Sequence, residues 1–350
     1  MSKIIVLAGN PQAAELSDFK ELLWQKVKVR KSLDEICHTV ELELPDSERS
    51  KVKRHDKIEV RVFNPNYTAS SQRPRLTTVF VDEITDTIKP GQKRITVIGR
   101  SPARDIIDST WSETILGSSS LEDITKKIAD KFKFADKFKI ALKKYPEDLE
   151  TKPIDSFSFE NESPWTKLLS EANNQGLIFT SNESGGLYFW KVAKSIRREG
   201  FFLEEGKNIK NIQITENGAG QFHTYIVKGG GAQEEAIDET CKNNRVLTIN
   251  LTGLVIAKEV LKRRALTEMR RRQEVRTVVT VSGWGLSDPQ LQRLGSTDGI
   301  EVFWNPNFLI PIKIPSSNLN DNYLISQVEY NADQSSYSCD ITLVKPEVYG

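Results

Sequence analysis

Residues 278–315 read VVTVSGWGLSDPQLQRLGSTDGIEVFWNPNFLIPIKIP, and their pattern sets the fold class. Val279 and Val281 alternate with Thr280 and Ser282 ahead of Gly283-Trp284. After a polar loop, two short apolar runs are broken at Asn305-Pro306-Asn307. A period of two argues for half-buried antiparallel strands, and the glycine and Asn-Pro-Asn punctuation argues for tight reversals between them. The stretch predicts a small all-β module. It holds no histidine or cysteine and no charged pair placed for chemistry, so it acts by shape and assembly.

Working outward, the same period recurs at both ends of the chain. Before residue 100 it appears at 3–9, 24–30, 38–44, 57–63, 77–85 and 94–99, which is sandwich or barrel spacing. Ser32–Ile36 is expected to cap one helical turn. At Ser101 the period changes: Leu121, Ile124, Ile128, Ala129 and Phe132 fall at helical spacing behind serines that supply an N-cap. Pro164 opens a second helix, Gly176 stops it, and Asn182–Gly186 joins a hairpin of Leu177–Ser181 and Leu187–Val192. Strands return at 211–215, 222–228 and 245–249. Helix formers then run through Thr252–Glu274 with Leu254, Leu261, Ala265 and Met269 inward, and the strand pair 323–330 and 337–344 ends the pattern. The fold class is therefore α+β, mainly β. Barrel-like β domains at 1–100 and 201–350, the second with a helical insertion at about 236–276, flank an α+β middle region at 101–200.

Composition narrows the function. A length of 350 residues points to about two to four domains. Charged residues make up 28% and cancel to a net charge of +1, so no bulk field recruits nucleic acid or an anionic membrane. Cys37, Cys241 and Cys339 are odd in number and far apart, which argues against a disulfide framework or a zinc site and for a reducing compartment. The N-terminal apolar run is too short for a signal segment, and no run reaches the roughly 18 apolar residues of a membrane span. The expectation is a soluble chain made in the cytoplasm, with no stable membrane insertion.

Taken in order, several landmarks resemble the baseplate hub protein of Mu-type contractile-tailed phages, a relative of the hub portion of type VI secretion spikes. They are Trp24, Ser119–Ile124, Phe159–Trp165 ahead of Leu168–Gly176, Gly186–Trp190, Asn208-Ile209, Phe222–Gly229, Ser282-Gly283-Trp284, Trp304–Asn307 and Leu324-Ile325. Each is a few apolar and turn residues; the likeness rests on their order across some 330 residues. The resemblance implies a homotrimer with two similar tube-like barrels per subunit. Six barrels would form a pseudo-sixfold ring that joins tail tube to spike and surrounds a channel for DNA passage, in the virion's tail baseplate. A hub of a type VI-like secretion device is the alternative within assembly biology. The Asn64–Pro74 loop is longer and more polar than the family pattern needs. Because the sequence runs to Gly350 without a glycine-rich or β-helical extension, a puncturing needle is expected to be a separate polypeptide.

Candidate chemistry is sparse. Gly229-Gly230-Gly231 lacks the Gly-Lys-Ser/Thr of a phosphate loop and reads as a flexible joint. His38, His55 and His223 are isolated, which fits packed or half-exposed side chains. Glu160 and Glu162 precede a helix, where carboxylates favour the dipole; as an acid pair they would instead support a tail-carried cell-wall hydrolase. No catalytic residue, cofactor or metal site is assigned. The strongest charge feature is the basic run Lys258, Lys262, Arg263, Arg264, Arg270, Arg271, Arg272 and Arg276. It reads as a solvated face, as a face pairing with a neighbouring subunit's acids, or as a wall toward a channel or a negatively charged partner. Trp284 and Trp304 are candidate interface aromatics and, with Trp165 and Trp190, candidate core anchors.

Overall fold

A computed structural model describes residues 3–13, 15–63, 74–131, 142–145, 153–159, 161–193, 200–251, 257–273, 275–286 and 302–349. The first hundred residues carry β1 (Lys3–Gly9), β2 (Lys20–Leu22), β3 (Lys26–Ser32), β4 (Thr39–Leu44), β5 (Lys57–Phe63), β6 (Arg75–Lys89) and β7 (Gln92–Arg100). The middle holds α1 (Arg104–Asp108), β8 (Thr114–Ser119), α2 (Leu121–Lys131), β9 (Leu142–Tyr145), β10 (Ile154–Ser158), α3 (Pro164–Asn174), β11 (Ile178–Ser181) and β12 (Leu187–Trp190). Then come β13 (Leu203–Glu204), β14 (Ile209–Thr215), β15 (Thr224–Gly229), β16 (Ala232–Ile237), β17 (Val246–Asn250) and α4 (Lys258–Gln273). The last strands are β18 (Arg276–Ser282), β19 (Leu309–Ile314), β20 (Leu319–Asp333) and β21 (Tyr337–Val344).

Thirteen strands form one sheet. Its order is β14-β18-β21-β20-β3-β4-β7-β6-β5-β1-β2, with β19 on the first half of β20 and β13 on β19. The two β modules therefore share a ladder. They meet where β20 pairs antiparallel with β3, from Gln327↔Ser32 to Asp333↔Lys26. One apolar core follows this continuity, with Val29, Leu42 and Val97 from the first module and Val281, Val328 and Ile341 from the second. Among the described residues the ladder closes on neither module, so each is a folded-over open sheet where a barrel was expected.

The two modules repeat a design. β6 and β20 are both 15 residues long and stand 244 positions apart, Arg75 against Leu319 and Lys89 against Asp333. The first part of each pairs with β5 or β19, with Phe80↔Lys57 matching Leu324↔Leu309. A register shift falls between Val81 and Glu83 in one and between Ile325 and Gln327 in the other. Such a bulge bends the strand and lets its first half fold back over the core. The second halves then pair with β7 and β21 across the two-residue turns Pro90-Gly91 and Gln334-Ser335. As a result β14-β18-β21-β20 and β3-β4-β7-β6 are the same four-strand block, set side by side.

The middle region follows its local signals. Ser120 Oγ accepts the Asp123 N–H at 3.0 Å and caps α2, whose Leu121, Ile124 and Ile128 are fully buried. Gly176 stops α3 at φ +70°, and β11 and β12 form the expected hairpin. Elsewhere the structure departs from the sequence expectations. Among the described residues α4 begins at Lys258 and packs on a separate sheet of order β16-β15-β17, burying Leu261 and Ala265 against Tyr225 and Val227; this small sheet and α4 lie in sequence between β14 and β18, which pair directly in the long sheet. The glycine run is a hairpin turn and no joint, with Gly229↔Ala232 paired and Gly230 and Gly231 at φ +58° and +77°. Ser32–Ile36 forms no helical turn, because Ser32 Oγ takes the Asp34 N–H at 3.1 Å. Expectations for residues 64–73, 287–301, Phe132, Glu160 and Leu254 lie outside the described residues.

Candidate assembly surfaces and the junction between modules

The eight strands from β14 to β6 have one face on the core and one polar face, as alternation with period two demands. Register places Lys26, Lys28 and Arg30 of β3 beside Glu41 and Glu43 of β4 and beside Glu329 and Asp333 of β20. The charges neutralise one another locally. Glu43 pairs with Lys26 at 3.2 Å and with Arg94 at 3.5 Å, while Lys28 meets Glu329 at 3.0 Å and Arg30 meets Glu35 at 2.8 Å. Asp340 accepts the Thr280 hydroxyl at 2.6 Å and the Asn331 amide at 3.0 Å. A shallow cleft of about 320 Å³ lies on this face at the β3–β20 junction, lined by Lys26, Lys28, Glu41, Glu43, Asn331 and Asp333 among others. Hydrogen bonds from the Ser335 hydroxyl and from the Ser335 and Ser336 amides pull the Asp333 carboxyl down to about 2.

Beneath the polar face the junction is pinned by buried polar groups. Lys31 is 5% exposed, donates to Asn305 Oδ1 at 3.0 Å and lies 5.7 Å from the Tyr330 ring centroid. The Tyr330 hydroxyl donates to the Trp304 carbonyl. Asn307, at φ +64°, accepts the Ala193 N–H at 3.0 Å and donates to the Lys191 carbonyl, tying the middle region to the second module. His38 is buried and meets Thr77 Oγ1 at 3.1 Å. Burial, with the Lys31 ammonium second, holds the His38 pKa well below the ordinary histidine value. The unfolded chain takes up this proton below about pH 6.5 and the folded chain does not, so stability falls as pH drops, by up to about 1.4 kcal/mol per pH unit. Urea midpoints between pH 7.5 and 5 check this; His38→Gln is expected to flatten that slope.

The basic run is divided. On α4, Arg263 donates to the Asn174 carbonyl, and Arg264, 14% exposed, pairs with Glu268 at 2.8 Å. Arg271 lies 5.0 Å from the Tyr349 ring and Arg272 5.1 Å from that of Phe222. Arg263, Arg271 and Arg272 tether the helix to the rest of its own chain, and the Arg264–Glu268 pair lies within it. Arg270 is half-buried, Lys258 and Lys262 are exposed, and Arg276 sits at the start of β18 on the polar face, opposite Thr215. α4 itself lies off the long sheet. Trp284 and Trp304 are 3% and 4% exposed, so neither offers its ring to a partner. Trp284 Nε1 donates to the Asn331 carbonyl at 3.1 Å, and Trp304 packs edge-on against Phe201. Trp165 meets Phe179 with its ring tilted by 33° and Trp190 meets Tyr188 edge-on, both tryptophans half-buried.

Nothing in the described residues gathers three His, Cys, Asp or Glu side chains in a metal-holding group. Glu162 binds Lys167 at 3.1 Å, and His223 meets Thr224 Oγ1 at 2.9 Å, while His55 sits in a turn at φ +71°. All three cysteines are buried and free, and burial pushes the Cys37 thiol up to about 12. No described helix is long and apolar enough to cross a membrane.

No protein-family model matches the chain, and no curated protein matches it. Solved structures do. The 43 kDa tail protein of prophage MuSo2 from Shewanella oneidensis aligns with a TM-score of 0.72 at 19% identity, covering 99% of this chain and 98% of that one. The tail protein from Neisseria meningitidis MC58 aligns with a TM-score of 0.76 at 13% identity, with the same coverage of 99% and 98%. The chain has the fold of prophage tail proteins. A component of the E. coli type VI secretion system, described as structurally similar to the T4 bacteriophage tail proteins gp27 and gp5, shares this tail-protein fold. Its TM-score is 0.57 at 9% identity, with 93% of this chain and 74% of that one covered. In the tail-protein fold of this chain, the surface that spans both modules is the polar sheet face, while α4 belongs to the small sheet beside it.

Proposed function

We propose that the chain is a structural baseplate hub of a contractile phage or prophage tail, acting as a homotrimer that joins tail tube to spike around a channel for DNA. The observation that carries this reading is the doubled four-strand block. Two like blocks in one chain give six in three chains, which is the match a sixfold tube needs on a threefold spike. The polar face of the eight strands forms the channel wall, with Arg276 the one member of the basic run upon it. Several of its cations, Lys26, Lys28 and Arg94 among them, are already paired with carboxylates, which suits passage of a polyanion without retention, since phosphate binding draws on free Lys and Arg. Lys258 and Lys262 face outward on α4 and serve a baseplate partner. The role is non-enzymatic, and the protein resides in the virion tail after synthesis in the host cytoplasm. A second reading, the hub of a type VI-like device, draws on the likeness to the E. coli component; neighbouring genes for sheath and tape measure distinguish the two. Electron microscopy of the purified protein is expected to show threefold rings with a central hole. Solid particles of one chain's size would contradict it.

A further inference from the structure

Lys31 stands on the core side of β3. Strict alternation puts it in line with Val27 and Val29, a place for an apolar residue, and it is 5% exposed. Its Nζ donates to Asn305 Oδ1 at 3.0 Å, across 274 positions of sequence, and lies 5.7 Å from the Tyr330 ring centroid. Asn305 is itself 8% exposed. Its neighbours hold it in place: the Trp304 N–H reaches the Trp284 carbonyl at 3.2 Å, and the Asn307 N–H reaches the Ile325 carbonyl at 2.9 Å. A primary amine and a primary amide, one from each β module, thus meet in the shared core.

We propose that Lys31 and Asn305 join as a side-chain isopeptide, a covalent bond between the first module and the second. Such a bond is independent of the hub reading. The Nζ lone pair attacks Asn305 Cγ, the Nζ–Cγ bond forms, and the Cγ–Nδ2 bond breaks. A proton shed by Nζ leaves with Nδ2 as ammonia, so no oxidant or further reagent takes part. The attacking form is the neutral amine, which burial favours over the ammonium. Cγ lies one carbonyl bond, about 1.2 Å, beyond Oδ1. A small turn of either side chain brings Nζ onto it within the roughly 3–3.5 Å of a near-attack arrangement. Negative charge gathers on Oδ1 as the bond forms, and the Tyr330 hydroxyl is 3.4 Å from that oxygen. Rotation of the hydroxyl turns its hydrogen there from the Trp304 carbonyl.

The product also explains a lysine at this position. A low-dielectric core opposes an ammonium ion, whereas an amide is neutral and asks only for hydrogen bonds. The cross-link closes a long loop and so restrains the unfolded chain. It also fastens the β3–β20 ladder on its core side, where Lys31 stands opposite Val328.

Mass spectrometry tests the bond directly. After a day at neutral pH, the denatured unsubstituted protein is expected to be lighter than its sequence by one ammonia. Trypsin should leave the Lys31–Ser32 bond uncut and release Lys31–Arg49 joined to Leu294–Lys313. Lys31→Met removes the amine and keeps an apolar stem, and its mass should match its own sequence. An unsubstituted mass equal to the sequence overturns the proposal. So does an ammonia loss that persists in Lys31→Met or comes without the joined peptide, since an asparagine cyclised on its own backbone loses the same mass.

Discussion

Tyr330→Ala is expected to lower the stability of the whole chain by about 3–5 kcal/mol, the range for truncating a fully buried aromatic side chain. Tyr330 is 0% exposed on β20, packs edge-on against Trp284 at 5.6 Å and donates its hydroxyl to the Trp304 carbonyl. Its cross-strand partners are Val29 in the first module and Cys339 in the second. A cavity there lies in the only ladder the two β modules share among the described residues. Loss of the hydroxyl also leaves a buried carbonyl short of its donor, which adds to the cost. Because the core is continuous, both modules should loosen together. Hydrogen exchange checks this: amides of β3 and β4 and those of β18 and β21 are expected to lose protection in parallel. Loss confined to one module would mean that the shared sheet does not couple them.

The second large effect concerns assembly without folding. Lys89↔Gln92 closes a two-residue hairpin, so the Lys89 and Thr87 N–H groups point toward β7, and those of Asp86 and Ile88 point the other way, to an edge on which no described strand pairs beyond Phe80. Proline at Asp86 and Ile88 removes only the outward donors, as edge strands tolerate. The Asp86 side chain also leaves Arg49, an exposed pair 3.1 Å apart whose loss costs little. Asp86→Pro/Ile88→Pro should therefore keep the chain folded and weaken a subunit contact made through this edge in the proposed ring by about 3 kcal/mol, more than a hundredfold, through two lost backbone hydrogen bonds and their stranded acceptors. Sedimentation should find monomers where the unsubstituted protein is assembled, with the circular dichroism spectrum unchanged. An undisturbed trimer would place the contact elsewhere.

Local signals were legible in the sequence. Ser120 and Pro164 announced two helices, Gly176 ended one, and strict alternation marked the strands around Val29, Leu42 and Val281, because each of these depends on neighbours a few residues away. The polar face was legible only strand by strand. What alternation does not carry is pairing over long separations: β3 and β20 lie some three hundred residues apart, and an apolar face reads the same whether its sheet closes on itself or runs into the next. The basic run misled for a different reason. Arginine stems lie along apolar and aromatic surface, so Arg271 over Tyr349 and Arg272 over Phe222 look in sequence like solvated charge. The glycine run illustrates a third case, since a turn that needs two left-handed residues and a loose joint ask for the same amino acid. No local pattern distinguishes Trp284 or Trp304 in a core from either ring at a rim; their burial follows from the distant Asn331 and Phe201.

The doubled sheet is proposed to close a ring of three chains. Its most direct measurement is the mass in solution, by sedimentation equilibrium or light scattering, at working concentration and moderate salt. A mass three times the 39.7 kDa chain, stable to dilution, is the expected result. A folded species of one chain's mass would contradict the account.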